Sequence, residues 1–306
     1  MSAPSIHPLR PGAARRQGRA LSLGVLGVGV RIRHGAAWPR TLLAAHYDCM
    51  RMPVATPDLT YTIAGGNGTF RLAVDGSPAM TATDPGQLLL KLDQDLIIQL
   101  QKCRPDLYFV HAGVLELAGR ALMLVAPSGG GKSTTVWGLV HHGFRYLSDE
   151  LAPIDVRRMM VHPYPRAVTL KSPPPRAYPL PGRARSTSRG FHVPTDAIAG
   201  GVAARAVPLA AIVFLRYTAG APQPAIERIG AAQAGARLYA NALNALAHPG
   251  DGLDAALHIA ARTACFHVTT AALAATCALV KATLDGLPTR GMHAHARRSD
   301  RATRRR

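Results

Sequence analysis

Residues 121–140 constrain this chain more than any other stretch. An apolar run, residues 121–125, leads into Val125-Ala-Pro-Ser-Gly-Gly-Gly-Lys-Ser-Thr-Thr135, and residues 134–140 read as the start of a helix. Strand, glycine-rich loop and helix in that order make a phosphate-binding loop, close to G-x-x-x-x-G-K-[ST]. The chemistry requires these residue types. Glycines let successive N–H groups converge on phosphate oxygens, and the helix N-terminus adds the positive end of its dipole. Pro127, Ser128, Gly129, Gly130 and Gly131 shape the cradle, with Thr134 in the first helical turn. Lys132 can reach the β- and γ-phosphates of a nucleotide, and Ser133 can hold Mg²⁺ through its hydroxyl. Ala126 stands where the first glycine of the pattern usually falls, so the loop is a variant. A glycine-rich turn with one incidental lysine is the alternative, and the flanking strand and helix argue against it.

Further candidates lie nearby. Asp149-Glu150 follows Lys132 by 17 residues, one helix plus one strand. The carboxylates are therefore expected at the C-terminal end of a strand beside the loop strand, where open α/β sheets bind ligands. A carboxylate there binds Mg²⁺ or accepts a proton from an attacking hydroxyl. A plain surface Asp-Glu is the alternative. His111 falls in an apolar strand, residues 107–117, expected to neighbour the loop strand. A lone histidine in such a strand is more often a hydrogen-bonded core residue than a catalytic group. Arg166 and Lys171 sit five residues apart, on opposite faces of a regular strand. Both reach one phosphate only if the segment bends or ends near Lys171. Phosphoryl transfer uses such cations; an exposed basic strand is the alternative.

The rest of the chain divides around this centre. Residues 1–19 read as a flexible basic tail and residues 20–104 as a small α+β module. Within it, residues 21–32 form one strand or a bent pair. Residues 38–50 form a short helix, and 59–63 with 69–74 a hairpin about Gly65-Gly66-Asn67-Gly68. Residues 78–83 add a strand. Asp84 caps a helix over 85–103, with Pro85 at its first position. Residues 105–285 hold the phosphate loop and read as the catalytic domain. Further strands are expected over 144–147, 151–156, 159–161, 167–170, 210–215 and 265–268. Helices are expected over 233–246, 253–262 and 271–284. The proline- and arginine-rich residues 173–194 read as a long mobile loop or a linker. Residues 286–306 read as a disordered arginine-rich tail.

The net charge of +19 resembles a nucleic-acid signal, but its distribution argues against one. Eleven arginines against one aspartate, a net +10, sit in residues 1–19 and 286–306. The chain also carries 31 Arg against 5 Lys, a bias spread over its whole length. No nucleic-acid module is recognised. The four cysteines are far apart with no C-x-x-C spacing, which fits free thiols in a reducing cytoplasm. The apolar run at 21–30 lacks a cleavage site, and no segment has the ~18 apolar residues of a membrane span.

His111-Ala-Gly-Val-Leu, the phosphate loop and His142-Gly-Phe-Arg-Tyr-Leu-Ser-Asp-Glu150 together resemble the catalytic core of the HPr kinase/phosphorylase family. Pro165-Arg-Ala-Val-Thr-Leu-Lys171, the strand over 210–217 and Asn241-Ala-Leu-Asn244 resemble its HPr kinase-related "kinase A" group, in which a short N-terminal module precedes the core. The resemblance is specific over residues 107–171 and looser over 20–285.

The resemblance implies an α/β fold, a phosphoenolpyruvate carboxykinase-like P-loop kinase core behind a small N-terminal α+β module. It implies ATP and Mg²⁺, and transfer of the γ-phosphoryl group to a serine hydroxyl of a protein or peptide. Asp149 matches the carboxylate that takes the hydroxyl proton, Glu150 a second acid that holds Mg²⁺ directly or through water, and His111 a histidine near the phosphates. Ala126 departs from the pattern. No segment resembles E-[IV]-R-G-x-G-I, so phosphorylase activity, and HPr itself as substrate, do not follow. A nucleotide-sensing ATPase module and a small-molecule kinase are the alternatives. No membrane partner is expected, and a homo-oligomer is compatible with the sequence.

Overall fold

A computed structural model describes residues 19–288 except Ala36, Asn67, Gly76 and Ala219. The basic ends expected at 1–19 and 286–306 lie outside the described residues, apart from Arg19 and residues 286–288. The architecture is mixed α/β with several sheets.

The first sheet has the order β1 (Arg19–Val25), β2 (Val28–His34), β3 (Leu59–Gly66), β4 (Thr69–Val74), β5 (Met80–Ala82). Leu26 and Gly27 close the β1–β2 hairpin, both at positive φ (54° and 82°). The apolar run at 21–32 is thus the bent pair. The chain reaches β3 through α1 (Ala37–His46), and β3–β4 is the expected hairpin.

Helix α2 (Pro85–Cys103) packs on this sheet. Leu88, Leu89, Leu92, Leu96 and Leu100 are buried along one stripe, each contributing roughly 1.5–3 kcal/mol by leaving water. The Asp84 carboxylate accepts the Gln87 N–H at 3.0 Å and caps the helix. It also accepts from the Ser188 hydroxyl at 2.5 Å, tying the helix start to a segment about a hundred residues on. Asp84→Ala is expected to cost about 1 kcal/mol of unfolding free energy in urea. An unchanged midpoint would show that the cap is idle. The apolar cluster of this module continues into Leu107, Phe109, Leu151 and Tyr164, beyond residue 104.

The second sheet carries the phosphate loop. Its strands are β6 (Tyr108–Val110), β7 (Gly113–Leu117), β8 (Arg120–Val125), β9 (Arg145–Ser148), β10 (Ala152–Asp155) and β11 (Met160–Val161), with three more below. Helix α3 (Lys132–Val140) follows the phosphate loop. A separate three-stranded sheet has the order β12 (Val168–Leu170), β14 (Gly190–Val193), β13 (Arg185–Thr187). The second sheet is completed by β15 (Val207–Tyr217), β16 (Ala225–Arg228) and, after α4 (Ala231–Tyr239) and α5 (Leu253–Ala261), by β17 (Ala264–Thr270); α6 (Leu273–Asp285) follows. Strand β15 runs parallel to both β8 and β17. Alternate residues of β8 serve opposite faces. Leu122 and Leu124 face α3 and α6, while Ala121 and Met123 face α4 and α5. Gly138 lets α6 approach α3 closely, since a Cβ there would lie 2.6 Å from Cys277 Sγ. No helix among the described residues is long and apolar enough to cross a membrane.

Four expectations need correction. Residues 107–117 are two strands, since the His111 N–H turns aside to donate to Asn241 O at 2.9 Å. Strand β9 does not pair with the loop strand: β7 lies between them, antiparallel to each. Residues 173–194 are not one irregular loop. Tyr178 anchors the segment on α3, its carbonyl accepting from Trp137 Nε1 at 3.0 Å, and β13–β14 then pairs with β12. Helix α4 stops at Tyr239, short of 246, because Asn244 leaves to serve β6. Its side chain accepts from Phe109 N–H and donates to Leu107 O, each at 2.9 Å.

Candidate functional site

Residues 126–131 join β8 to α3. Gly129 and Gly131 sit at φ of 81° and 82°, where a side chain is strained. Gly130 sits in a tight spot: a Cβ there would lie 3.0 Å from Pro127 O and 3.1 Å from Ala126 Cβ. Ala126 is buried and has no positive φ, so its methyl group forms the loop floor without strain. That accounts for the departure from glycine. The first ladder bond of α3 runs from Thr135 N–H to Gly131 O. The amides of Lys132, Ser133 and Thr134 precede it, in the position where a helix start binds anions.

Lys132 is only 8% exposed. Burial lowers its ammonium to about 8, against the opposing pull of Glu150 and Asp149. Its Nζ meets His111 Nε2 at 2.7 Å. An ammonium only donates, so Nε2 accepts and Nδ1 carries the ring proton. Nδ1 lies 3.2 Å from Glu150 Oε1. The loop lysine, His111 and Glu150 thus form one chain of contacts, a hydrogen bond followed by a histidine–carboxylate pair.

The adjacent carboxylates have different surroundings. Glu150 is 34% exposed at its side chain. Burial opposes its charge, but the His111 hydrogen bond, Arg166 and Lys132 outweigh that and hold its carboxyl down at about 2. Asp149 is fully buried. Its Oδ1 accepts from Tyr146 OH at 2.9 Å and faces Arg166 Nη2 at 3.4 Å; its Oδ2 accepts from Thr169 N–H at 2.9 Å. Asp149 is thus closed to solvent, and Glu150 is the more accessible of the two carboxylates.

Arg166 and Lys171 are also separated. Arg166 is buried, with Nη2 3.2 Å from Glu150 Oε2 and Nη1 donating to Thr169 Oγ1 at 2.7 Å. It lies beneath the carboxylates and is not a free cation for phosphate. Lys171, just past the end of β12, donates from Nζ to the Ser128 hydroxyl at 3.0 Å and is exposed. Of the two, Lys171 is the one at the phosphate loop.

Sequence reasoning missed a third carboxylate. Asp93 of α2 lies 3.8 Å from Arg166 Nη1, and accepts from His46 Nε2 at 2.9 Å and Tyr47 OH at 2.5 Å. His192 stands edge-on to His46, ring centroids 5.5 Å apart. Burial, then His46 and Arg166, push its imidazole down to about 3, so it stays neutral. One pattern betrays Asp93: it sits four residues after Leu89 and four before Ile97, on the apolar face of an amphipathic helix.

Beside the loop opens a cleft of about 570 Å³. Ala126, Ser128 and Gly129 line one side, and Tyr217, Arg237 and His267 the other. The Arg237 guanidinium lies 5.6 Å from the Phe214 ring centroid. Sequence reasoning did not single out Tyr217, Arg237 or His267, since one such residue in a strand or helix carries no local mark.

Among the described residues no group of three His, Cys, Asp or Glu could hold a metal ion. A Mg²⁺ that came with a triphosphate would take most of its oxygens from phosphate and water and would not need such a group. Ser133, in the first turn of α3, would supply the protein hydroxyl. No protein-family model and no curated protein matches the chain.

Proposed function

We propose that the chain is an HPr kinase-like, ATP- and Mg²⁺-dependent phosphotransferase that delivers the γ-phosphoryl group to a serine hydroxyl of a protein or peptide. The observation that carries this reading is the Lys132–His111–Glu150 chain. Nucleotide binding alone needs the lysine. It has no use for an accessible, ionised carboxylate one imidazole away from it.

The loop amides, Lys132 and Lys171 hold the phosphates. Mg²⁺, when bound beside Ser133, offsets charge on the triphosphate. The acceptor hydroxyl donates to Glu150. As its oxygen bonds to the γ-phosphorus, the proton passes to Glu150 and the bond from that phosphorus to the β–γ bridging oxygen breaks, releasing ADP. His111 keeps Glu150 oriented and passes the lysine's contact on. Asp149 fixes β9 against β12 and neutralises part of Arg166. The nucleoside end of ATP occupies the cleft bounded by Tyr217, Arg237 and His267, whose volume suits a ligand of that size. Exposed Cys49 and Cys103 fit a reducing compartment, the cytoplasm.

The test is incubation with γ-labelled ATP, Mg²⁺ and serine-containing peptides, followed by separation of peptide from free phosphate. Label is expected on peptide serine. Label only in free phosphate would replace this reading with an ATPase. Label on a small hydroxylated compound would make the chain a small-molecule kinase.

A further inference from the structure

We infer that Asp93, on the helix of the N-terminal module, is a positioning residue of the phosphoryl-transfer site, acting through Arg166. The inference rests on the phosphotransferase reading above and adds a residue and a whole module to it.

Of the residues α2 buries, Asp93 alone is charged; the others are Gly86 and leucines or isoleucine. A buried carboxylate loses several kcal/mol of hydration, and an apolar residue at such a place is often neutral or better for stability. Stability of the helix therefore does not explain the aspartate. Its partners point elsewhere. Its Oδ1 accepts from Tyr47 OH, and its Oδ2 accepts from His46 and lies 3.8 Å from Arg166 Nη1. Arg166 in turn reaches Glu150 at 3.2 Å and Asp149 at 3.4 Å.

The guanidinium thus sits among three carboxylates, two from the strand end that flanks the phosphate loop and one from α2. A planar, always charged fork takes its position from the anions around it. With Asp93 present, Arg166 is shared between the module and the site. Without that charge it is drawn wholly onto Asp149 and Glu150. Glu150 then loses the lone pairs it offers to the acceptor. A shift of about 1 Å in such a group slows a reaction roughly 100-fold without loosening ground-state binding.

The test compares the full chain with Asp93→Asn, Asp93→Leu and, as a control on the same helix, Asp95→Asn. Asp95 accepts from Tyr61 OH at 2.7 Å and touches none of the site residues. Titration with Mg·ATP gives the affinity and the fraction of competent sites, and single-turnover loss of γ-labelled ATP gives the rate per bound nucleotide. Asp93→Asn and Asp93→Leu are expected to bind Mg·ATP within about threefold of wild type while the rate per bound nucleotide falls roughly 10- to 100-fold. Asp95→Asn should leave both unchanged. A wild-type rate per bound nucleotide in the Asp93 variants overturns the inference. So does a loss that only follows the fraction of competent sites, because that is a folding defect. A wild-type chain that binds no Mg·ATP sinks the nucleotide reading itself, and the Asp93 role with it.

Discussion

Glu150→Gln is expected to lower γ-phosphoryl transfer by roughly 10²- to 10⁴-fold, the usual worth of a positioned proton acceptor, while Mg·ATP still binds. Glutamine keeps the size of the side chain and an oxygen for Arg166; it removes the charge that receives the proton and turns its NH₂ toward His111 Nδ1. Asp149→Asn should behave otherwise. Both Asp149 oxygens face donors, Tyr146 OH and Thr169 N–H. An amide that keeps its oxygen on Thr169 N–H turns its NH₂ toward Tyr146 OH, which can accept, and toward Arg166 Nη2 at 3.4 Å, which cannot, leaving a buried mismatch of about 1–3 kcal/mol. Its thermal midpoint should therefore fall, and the rate per bound nucleotide should fall roughly 10- to 100-fold, less than in Glu150→Gln, because Asp149 acts on Glu150 only through Arg166. Measuring rate per bound ATP beside thermal unfolding separates the two carboxylates. A silent Asp149→Asn with an unchanged midpoint, beside an active Glu150→Gln, would reverse their assignment.

Arg166→Leu is expected to be the most destabilising single change at the site, by about 3–5 kcal/mol in denaturant titration. It removes the cation shared by Asp93, Asp149 and Glu150 and leaves buried like charges facing one another. Adding Asp93→Leu should restore part of the loss, because one uncompensated charge leaves with it. A loss below ~1 kcal/mol would mean that water already neutralises the cluster. The acid limb follows the same logic. Burial raises the Asp93 carboxyl, but His46 and Arg166 pull it from 3.8 down to about 2. A carboxyl depressed in the folded state stabilises fully above its unfolded value and loses that contribution as pH falls through the folded one. Wild-type stability should therefore decline between about pH 4 and 2. In Arg166→Leu the decline from this group should be smaller and be complete at higher pH.

Features written in short stretches of sequence were readable. The apolar run, glycines and lysine at 121–135 fix the loop whatever surrounds it. Asp84-Pro85 before a leucine stripe fixes both the start and the buried face of α2. The role of Asp93 was not readable, because its partner Arg166 lies 73 residues on and pairing at that distance leaves no local pattern. The contrast between Asp149 and Glu150 was hidden likewise. Neighbours in sequence point opposite ways at a strand end, and which one is buried depends on Tyr146 and on β12. Strand order failed for a topological reason. The tight turn at Ala118-Gly119 places β7 beside β8, and nothing local says that β9 joins its far side.

The tie from the His111 amide to Asn241 has a consequence for how the protein is made. On a ribosome the chain emerges in order, and domains form as their segments become available. The phosphate loop and both carboxylates leave the exit tunnel while residue 241 is still unsynthesised. Until it arrives, the histidine between Lys132 and Glu150 lacks its backbone anchor. A nascent chain therefore holds the glycine-rich loop well before His111 is anchored between Lys132 and Glu150.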